Sequence, residues 1–219
     1  MDSAPDAFVF CQVPSSLANL AYAFHQSQST NEHIWPRTEE QIRAYAENGE
    51  LFAVRRRSTG EFVALCYSTL DGNNWEIGGL TTADSARGLH LGTFLVRFAL
   101  AHTIAWNSPW DSGQDIIAHV HDENKKPRNL LSNVGFEFAK KVEIPGDKAP
   151  ASMKRNPAGN VSGDELRFPQ SAVKSLLTWF EKEYKETLDD GKTPALFDIL
   201  GGVGALIEAL REAIPPSQP

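Results

Sequence analysis

Residues 87–92 read Arg-Gly-Leu-His-Leu-Gly, and they stand between a strand-like run from Trp75 to Thr82 and an apolar run that begins at Leu91. A turn that opens a helix leaves the first backbone N–H groups without intrahelical acceptors, at the positive end of the helix dipole. Gly88 and Gly92 put no side chain in the way of a group approaching that backbone, and Arg87 adds a charged fork of donors. The stretch therefore reads as an anion site at the start of a helix. A tight strand-to-helix connection needs glycine with no ligand at all, so the local pattern alone supports both readings.

Working outward, the helix after the turn carries Leu91, Phe94, Leu95, Phe98, Ala101, His102, Ile104 and Ala105, a broad apolar face suited to lying on a sheet. Upstream, Leu51 to Arg56, Glu61 to Ser68 and Trp75 to Thr82 read as three strands. Turns at Ser58-Thr59-Gly60 and Asp71-Gly72-Asn73 join them into an antiparallel meander. Before it, Phe8 to Val13 reads as a strand ended by Pro14, with a helix capped by Ser15 or Ser16 running to about Gln28. A second helix follows, started by a capping box at Thr38 and Gln41. Downstream, Asp115 to His121 reads as a strand, Asn124 to Val134 as a short helix closed by Gly135, and Phe136 to Ile144 as another strand.

A long polar loop is expected over 145–164, as a flap or a mobile connection, then a short apolar piece at Leu166 to Phe168. From Gln170 to Ala213 the pattern is helical. One stripe holds Val173, Leu176, Leu177, Phe180 and Tyr184, and a second holds Leu196, Ile199, Leu200, Val203, Leu206, Ile207 and Leu210. Two helices joined around residues 191–194 would form a hairpin that buries its stripes against the main domain or a second copy of the chain. The expected organisation is a main domain over 1–168 and a helical C-terminal extension over 169–219.

The sum of these parts resembles the GCN5-related N-acetyltransferases (GNAT). Leu80, Thr82 and Arg87 sit at that family's spacing before the turn. Arg87 through Gly92 resembles its [Arg/Gln]-x-x-Gly-x-[Gly/Ala] motif, and Asn124 with Leu130, Gly135 and Phe136 resembles its later Asn … Leu-Tyr-x-x-x-Gly-Phe segment. The resemblance covers about residues 7 to 144. It implies an α/β (α+β) fold: a mixed, mostly antiparallel central sheet flanked by helices. It also implies an acyltransferase that moves an acetyl group from acetyl-CoA to a primary amine. The coenzyme's pyrophosphate would take the N–H groups of Leu89, His90, Leu91, Gly92 and Thr93, beside Arg87 and Gly88. Its pantetheine arm would pair with the strand near Leu80, Thr81 and Thr82, and Asn124 would stand at the mouth of the slot where that strand parts from its neighbour.

Two departures matter. His90 replaces the motif's first glycine, and Leu131 stands where the family often places a tyrosine that protonates the departing thiolate. They make a non-catalytic acyl-CoA sensor or protein-interaction module the rival reading.

For the base, Glu76 comes first. It lies 11 residues before Arg87, the spacing at which the family's histone acetyltransferase branch carries its catalytic glutamate. His119 and His121, alternate residues of one strand, share a face and form the rival pair. Both cysteines, Cys11 and Cys66, sit in apolar strand-like runs and read as buried thiols.

Composition narrows the classes. A net charge of −7 argues against a general nucleic-acid binder, and the scattered histidines show no metal-ligand spacing. The apolar stretches are too short to span a membrane, and the first residues lack a signal-peptide layout, so a cytoplasmic setting is expected. The partner is expected to be a small-molecule amine or a peptide, with a homodimer an option for the tail.

Overall fold

The computed structural model describes residues 6–28, 32–183, 188, 193–199 and 202–214. Strand β1 (Phe8–Gln12) leads through a 3-10 turn at Ser15–Leu17 into α1 (Ala18–Gln28), and α2 (Glu39–Glu47) follows. Pro14, with no side-chain cap, opens that first helical stretch rather than a serine. The expected capping box on α2 is formed, with Gln41 N–H donating to Thr38 Oγ1 and Thr38 N–H donating to Gln41 Oε1.

The meander is present as β2 (Leu51–Arg56), β3 (Phe62–Asp71) and β4 (Asn74–Thr82). Then come α3 (Leu91–Asn107), β5 (Ile116–His121), α4 (Lys125–Val134), β6 (Glu137–Ile144) and β7 (Val161–Phe168). The tail holds α5 (Val173–Thr178), a π-helical turn at Trp179–Glu183, β8 (Ala195–Asp198) and α6 (Gly202–Glu212).

The eight strands form one sheet in the order β6-β7-β5-β4-β3-β2-β1-β8. All pairs are antiparallel except β4 with β5 and β1 with β8. The sheet is thus mixed and mostly antiparallel, with helices on both faces. On one face α3 packs its apolar side down, and Phe10, Phe52, Leu95, Phe98 and Ile104 are each at most 1% exposed. On the other, α1 and α2 lie over Leu51, Ala53, Leu65 and Tyr67.

Two expectations need correction. The loop after β6 ends at residue 160, because β7 begins at Val161 rather than near Leu166 and inserts between β5 and β6. Its polar residues Asp164 and Glu165 are buried as ion-pair partners, which a hydropathy reading takes for loop. The tail is not purely helical either. Residues 195–198 extend the sheet beside β1, where Phe197 stacks on Phe10 at 4.9 Å, and the last helix starts only at Gly202. An apolar run of four residues fits a strand as well as a helical stripe, and only pairing with the distant β1 decides it. Tyr184, Leu200 and residues 191–192, which the sequence placed in the hairpin, lie outside the described residues. The tail's apolar side chains Val173, Leu176, Phe180, Leu206 and Leu210 are buried in the same core as α3.

Candidate active site

β4 and β5 run parallel through Trp75 opposite Ile116 and Glu76 opposite Ile117, and then part. At the point of parting β4 carries a bulge. Against β3, Leu65 faces Thr81 and Tyr67 faces Gly78, so Gly79 and Leu80 have no partner across the ladder. Gly79 takes φ +61, a left-handed value that suits glycine, and the Tyr67 ring lies across the backbone at Gly78 and Gly79. The result is a cleft of about 450 Å³ between the strands. Glu76, Leu80, His119, His121, Asn124 and Leu131 all line it.

One end of the cleft meets the Arg87–Gly92 turn. A Cβ at Gly92 would lie 3.6 Å from Thr82 Oγ1 and 3.7 Å from Leu80 Cδ2, so the start of α3 abuts the end of β4. Among the described residues no backbone carbonyl accepts from the N–H groups of Gly88, Leu89, His90, Leu91 or Gly92. Thr93 is the exception to the expected cradle, because its N–H donates to the His90 carbonyl at 3.0 Å. His90 itself takes φ 55, the left-handed conformation, which explains why a glycine serves at that position of the motif. Gly88 takes φ +83, and a methyl added there would meet nothing within 4 Å, which leaves open space above the donors. Arg87 is exposed and pairs with Asp84 at 2.6 Å. Five unfilled amide donors beside a cation, at the mouth of a slot, fit a pyrophosphate.

At the other end, β4, β5 and β7 bring Glu76, His119 and Glu165 together. His119 Nδ1 lies 3.4 Å from Glu76 Oε1, and His119 Nε2 lies 3.4 Å from Glu165 Oε2. Both carboxylates are largely buried, at 12% and 9% side-chain exposure against 37% for the imidazole. The Glu76 hydrogen bond, helped by the carboxylates' charge and opposed by burial, raises the His119 pKa above the ordinary imidazole value. Lys140 Nζ meets the same Glu165 Oε2 at 3.2 Å.

His121 is differently placed. Its Nδ1 accepts from Glu123 N–H at 3.2 Å, which leaves Nε2 to donate to the Lys154 carbonyl at 3.1 Å. That pattern fixes a neutral tautomer and ties β5 to the loop after β6, whose Met153 is buried in the cleft wall. The loop is held again by Lys154, which pairs with Glu123 and whose N–H donates to the Glu32 carbonyl.

Asn124 caps α4 without a side-chain hydrogen bond and faces the cleft. Arg128 of the same helix reaches Asp164 at 2.6 Å and pins α4 to the sheet. Leu131 presents an apolar wall where the motif often has tyrosine. Cys11 and Cys66 are buried, and burial pushes the Cys11 thiol up to about 11, so neither is poised as a nucleophile. Among the described residues no three His, Cys, Asp or Glu side chains are grouped to hold a metal, and no helix is long and apolar enough to cross a membrane.

The family model described as FR47-like protein matches residues 52–144, the span from β2 to β6. Among solved structures the chain is similar to the ribosomal-protein-S18-alanine N-acetyltransferase of Escherichia coli, at TM-score 0.54 and 13% identity, covering 74% of this chain and 93% of that one. The fold is of the GNAT acetyltransferase type. The same fold appears in Arabidopsis thaliana NAA60 with a bisubstrate analogue, at TM-score 0.54 and 11% identity over 74% of this chain and 97% of that one. It appears again in the diaminobutyrate acetyltransferase EctA of Paenibacillus lautus with L-2,4-diaminobutyric acid and coenzyme A, at TM-score 0.55 and 7% identity over 75% and 96%. No curated protein matches the chain.

Around the cleft, three residues escape a reading of the sequence alone. Glu165 sits in the stretch taken for loop. Tyr67 reads as an ordinary core aromatic of β3. Arg37 lies just before the α2 cap, in a connecting segment, and its one sequence signal is a lone cation between Trp35-Pro36 and the capping box.

Proposed function

We propose that this protein is an N-acetyltransferase that transfers the acetyl group of acetyl-CoA to a primary amine by direct attack on the thioester. The observation that carries the reading is the parting of β4 from β5 at the Gly79-Leu80 bulge, next to the open amide donors that begin α3. A cosubstrate with a phosphate group at one end and an extended, amide-bearing arm fits that combination. The N–H groups of Gly88 to Gly92 hold the pyrophosphate, and the unpaired edge of β4 at Leu80, with Thr81 and Thr82, takes the arm as an added strand. Acetyl-CoA supplies an activated acyl carbon.

The chain's own residues handle charge and proton. The amine arrives as an ammonium, and the Glu76–His119 pair takes its proton, held between Glu76 Oε1 and His119 Nδ1. Glu165 holds His119 from Nε2, so the ring presents Nδ1 to the cleft side of β4. The neutral amine then attacks the carbonyl carbon, a backbone N–H of the bulge near Leu80 stabilises the oxyanion, and the carbon–sulfur bond breaks as the nitrogen gives up its second proton to solvent and becomes the amide. The thiolate takes its proton from solvent, since Leu131 offers none. His121, with both ring nitrogens engaged, serves as a structural tie in this scheme.

Calorimetry with coenzyme A, followed by a thiol-release assay over amines, amino acids and peptides, tests the reading. Binding with thiol release that depends on acceptor supports it. Binding with no release for any acceptor favours an acyl-CoA sensor, and no binding at millimolar coenzyme sinks both.

A further inference from the structure

Arg37 is the one cation of the cleft wall on the acceptor side that no carboxylate neutralises among the described residues: no Asp or Glu oxygen there lies within ion-pair distance of its guanidinium. Its Nη2 donates to the Tyr67 hydroxyl, and its Cζ lies 4.9 Å from the Tyr67 ring centroid. Its Nε is buried with no hydrogen-bond partner among the described residues. Its own backbone N–H is fixed on Nε2 of the buried His25, so the residue is held at its root while part of its donor fork is left over. A half-buried guanidinium whose buried Nε lacks a partner is costly unless something completes it, and the planar fork matches a carboxylate.

Its place in the cleft says where that carboxylate belongs. The Tyr67 hydroxyl that Arg37 holds stands directly on Gly78, one residue before the bulge. The guanidinium is therefore one hydrogen bond away from the point where the proposed chemistry occurs. Glu76, which lines this cleft together with Asp71, acts on Arg37 electrostatically. The same cleft thus presents a cation at Arg37 and a carboxylate at Glu76.

We infer that the acceptor is a small amino-carboxylate, an amino acid or an equivalent with a carboxylate a few bonds from its reactive amine, and that Arg37 binds the carboxylate while Glu76 and His119 receive the amine. This rests on the acetyl-transfer reading for the word acceptor, but the binding it describes is measurable without turnover. The cleft of about 450 Å³ is shared with the thioester end of the coenzyme, which suits a ligand of this size. The carboxylate can belong to a free amino acid or to an acidic residue at the start of a peptide.

The test is calorimetry on the full chain, with and without coenzyme A. The probes are the common amino acids and L-2,4-diaminobutyrate, each against its own carboxamide, together with dipeptides carrying Asp or Glu at the second position. At least one carboxylate probe is expected to bind roughly tenfold or more tightly than its carboxamide. Arg37→Gln is expected to abolish that preference, so that carboxylate and carboxamide bind alike, and Arg37→Lys to retain part of it. A preference confined to free amino acids or to dipeptides identifies the source. If Arg37→Gln does not fold, Arg37→Lys carries the test alone, and a preference undiminished there overturns the inference. Equal binding of carboxylates and carboxamides, including no measurable binding of any, overturns the inference. A preference that survives in Arg37→Gln overturns it too. A carboxylate preference without thiol release would retain this site and remove the transferase.

Discussion

Three glycine-to-alanine changes separate the two constraints that shape the cleft. At Gly88, φ is +83 and nothing lies within 4 Å of the added methyl, so the cost is conformational alone, about 1–2 kcal/mol. At Gly78 the backbone is ordinary, but the methyl would run into the Tyr67 hydroxyl, so the cost is steric alone, about 1–3 kcal/mol for overpacking. Gly79 carries both: φ is +61, and the methyl would stand 2.6 Å from Tyr67 Cε1. Tyr67 cannot step aside easily, being 3% exposed, stacked on Tyr45 at 4.8 Å and bonded to Arg37. Gly79→Ala should therefore cost about the sum of the other two, roughly 2–5 kcal/mol. Alanine also stabilises each variant by about 0.4–1 kcal/mol through the unfolded chain, a common offset that leaves the ordering intact. Urea unfolding at constant m gives the three values, and coenzyme A calorimetry on the same variants reads the consequence. Gly79→Ala and Gly78→Ala should weaken arm binding, whereas Gly88→Ala should act on the phosphate end. A Gly79→Ala loss no larger than that of Gly88→Ala would refute the claim that the Tyr67 ring seats the bulge.

Four further outcomes follow from the same structure. The Glu76 hydrogen bond is the first cause of the raised His119 pKa, and the pair must be deprotonated to take the ammonium's proton, so in Glu76→Gln the acid-side limb of acetyl transfer should move to lower pH while the plateau drops; a limb that stays in place removes the pair from proton transfer. Because that pKa is raised on folding, the stabilisation is full below the unfolded imidazole value and is lost as pH rises through the folded one; Glu76→Gln should therefore lose most stability on the acid side, as a pH series of unfolding midpoints would show. His90→Gly relieves a left-handed histidine and opens the amide cradle, so coenzyme A should bind more tightly by a few-fold, and unchanged or weaker binding counts against the cradle. Phe10→Ala empties a fully buried site between Phe94 and Phe197 and should cost about 3–5 kcal/mol in urea unfolding; a loss under about 1 kcal/mol would mean that β8 does not pack on β1 as described.

What the sequence shows of this molecule is what is local. The capping box at Thr38 and Gln41, the meander turns and the glycine turn before α3 are each set by residues within a few positions of one another, and each is found where the spacing places it. β7 and β8 are set by distant partners. The Val161–Phe168 strand buries Asp164 and Glu165, which reads as loop until Arg128, Lys141 and His119 are seen to meet them. β8 is four residues whose neighbour lies at the other end of the chain.

The same division runs through the site. Glu76 and His119 are legible one at a time, from the spacing to the turn and from strand alternation. What no single stretch contains is that β4 and β5 pair at Glu76 and separate immediately after it, which puts the carboxylate against the ring and the open edge beside both. Arg37 is harder still, because its meaning lies in what it lacks. A cation before a helix cap is an ordinary surface residue in a sequence. It becomes informative only when the fold buries its Nε, spends one of its donors on Tyr67 and brings no carboxylate of the described residues to the rest, and that unfilled demand is what makes a carboxylate on the acceptor the sharpest question to put to this cleft.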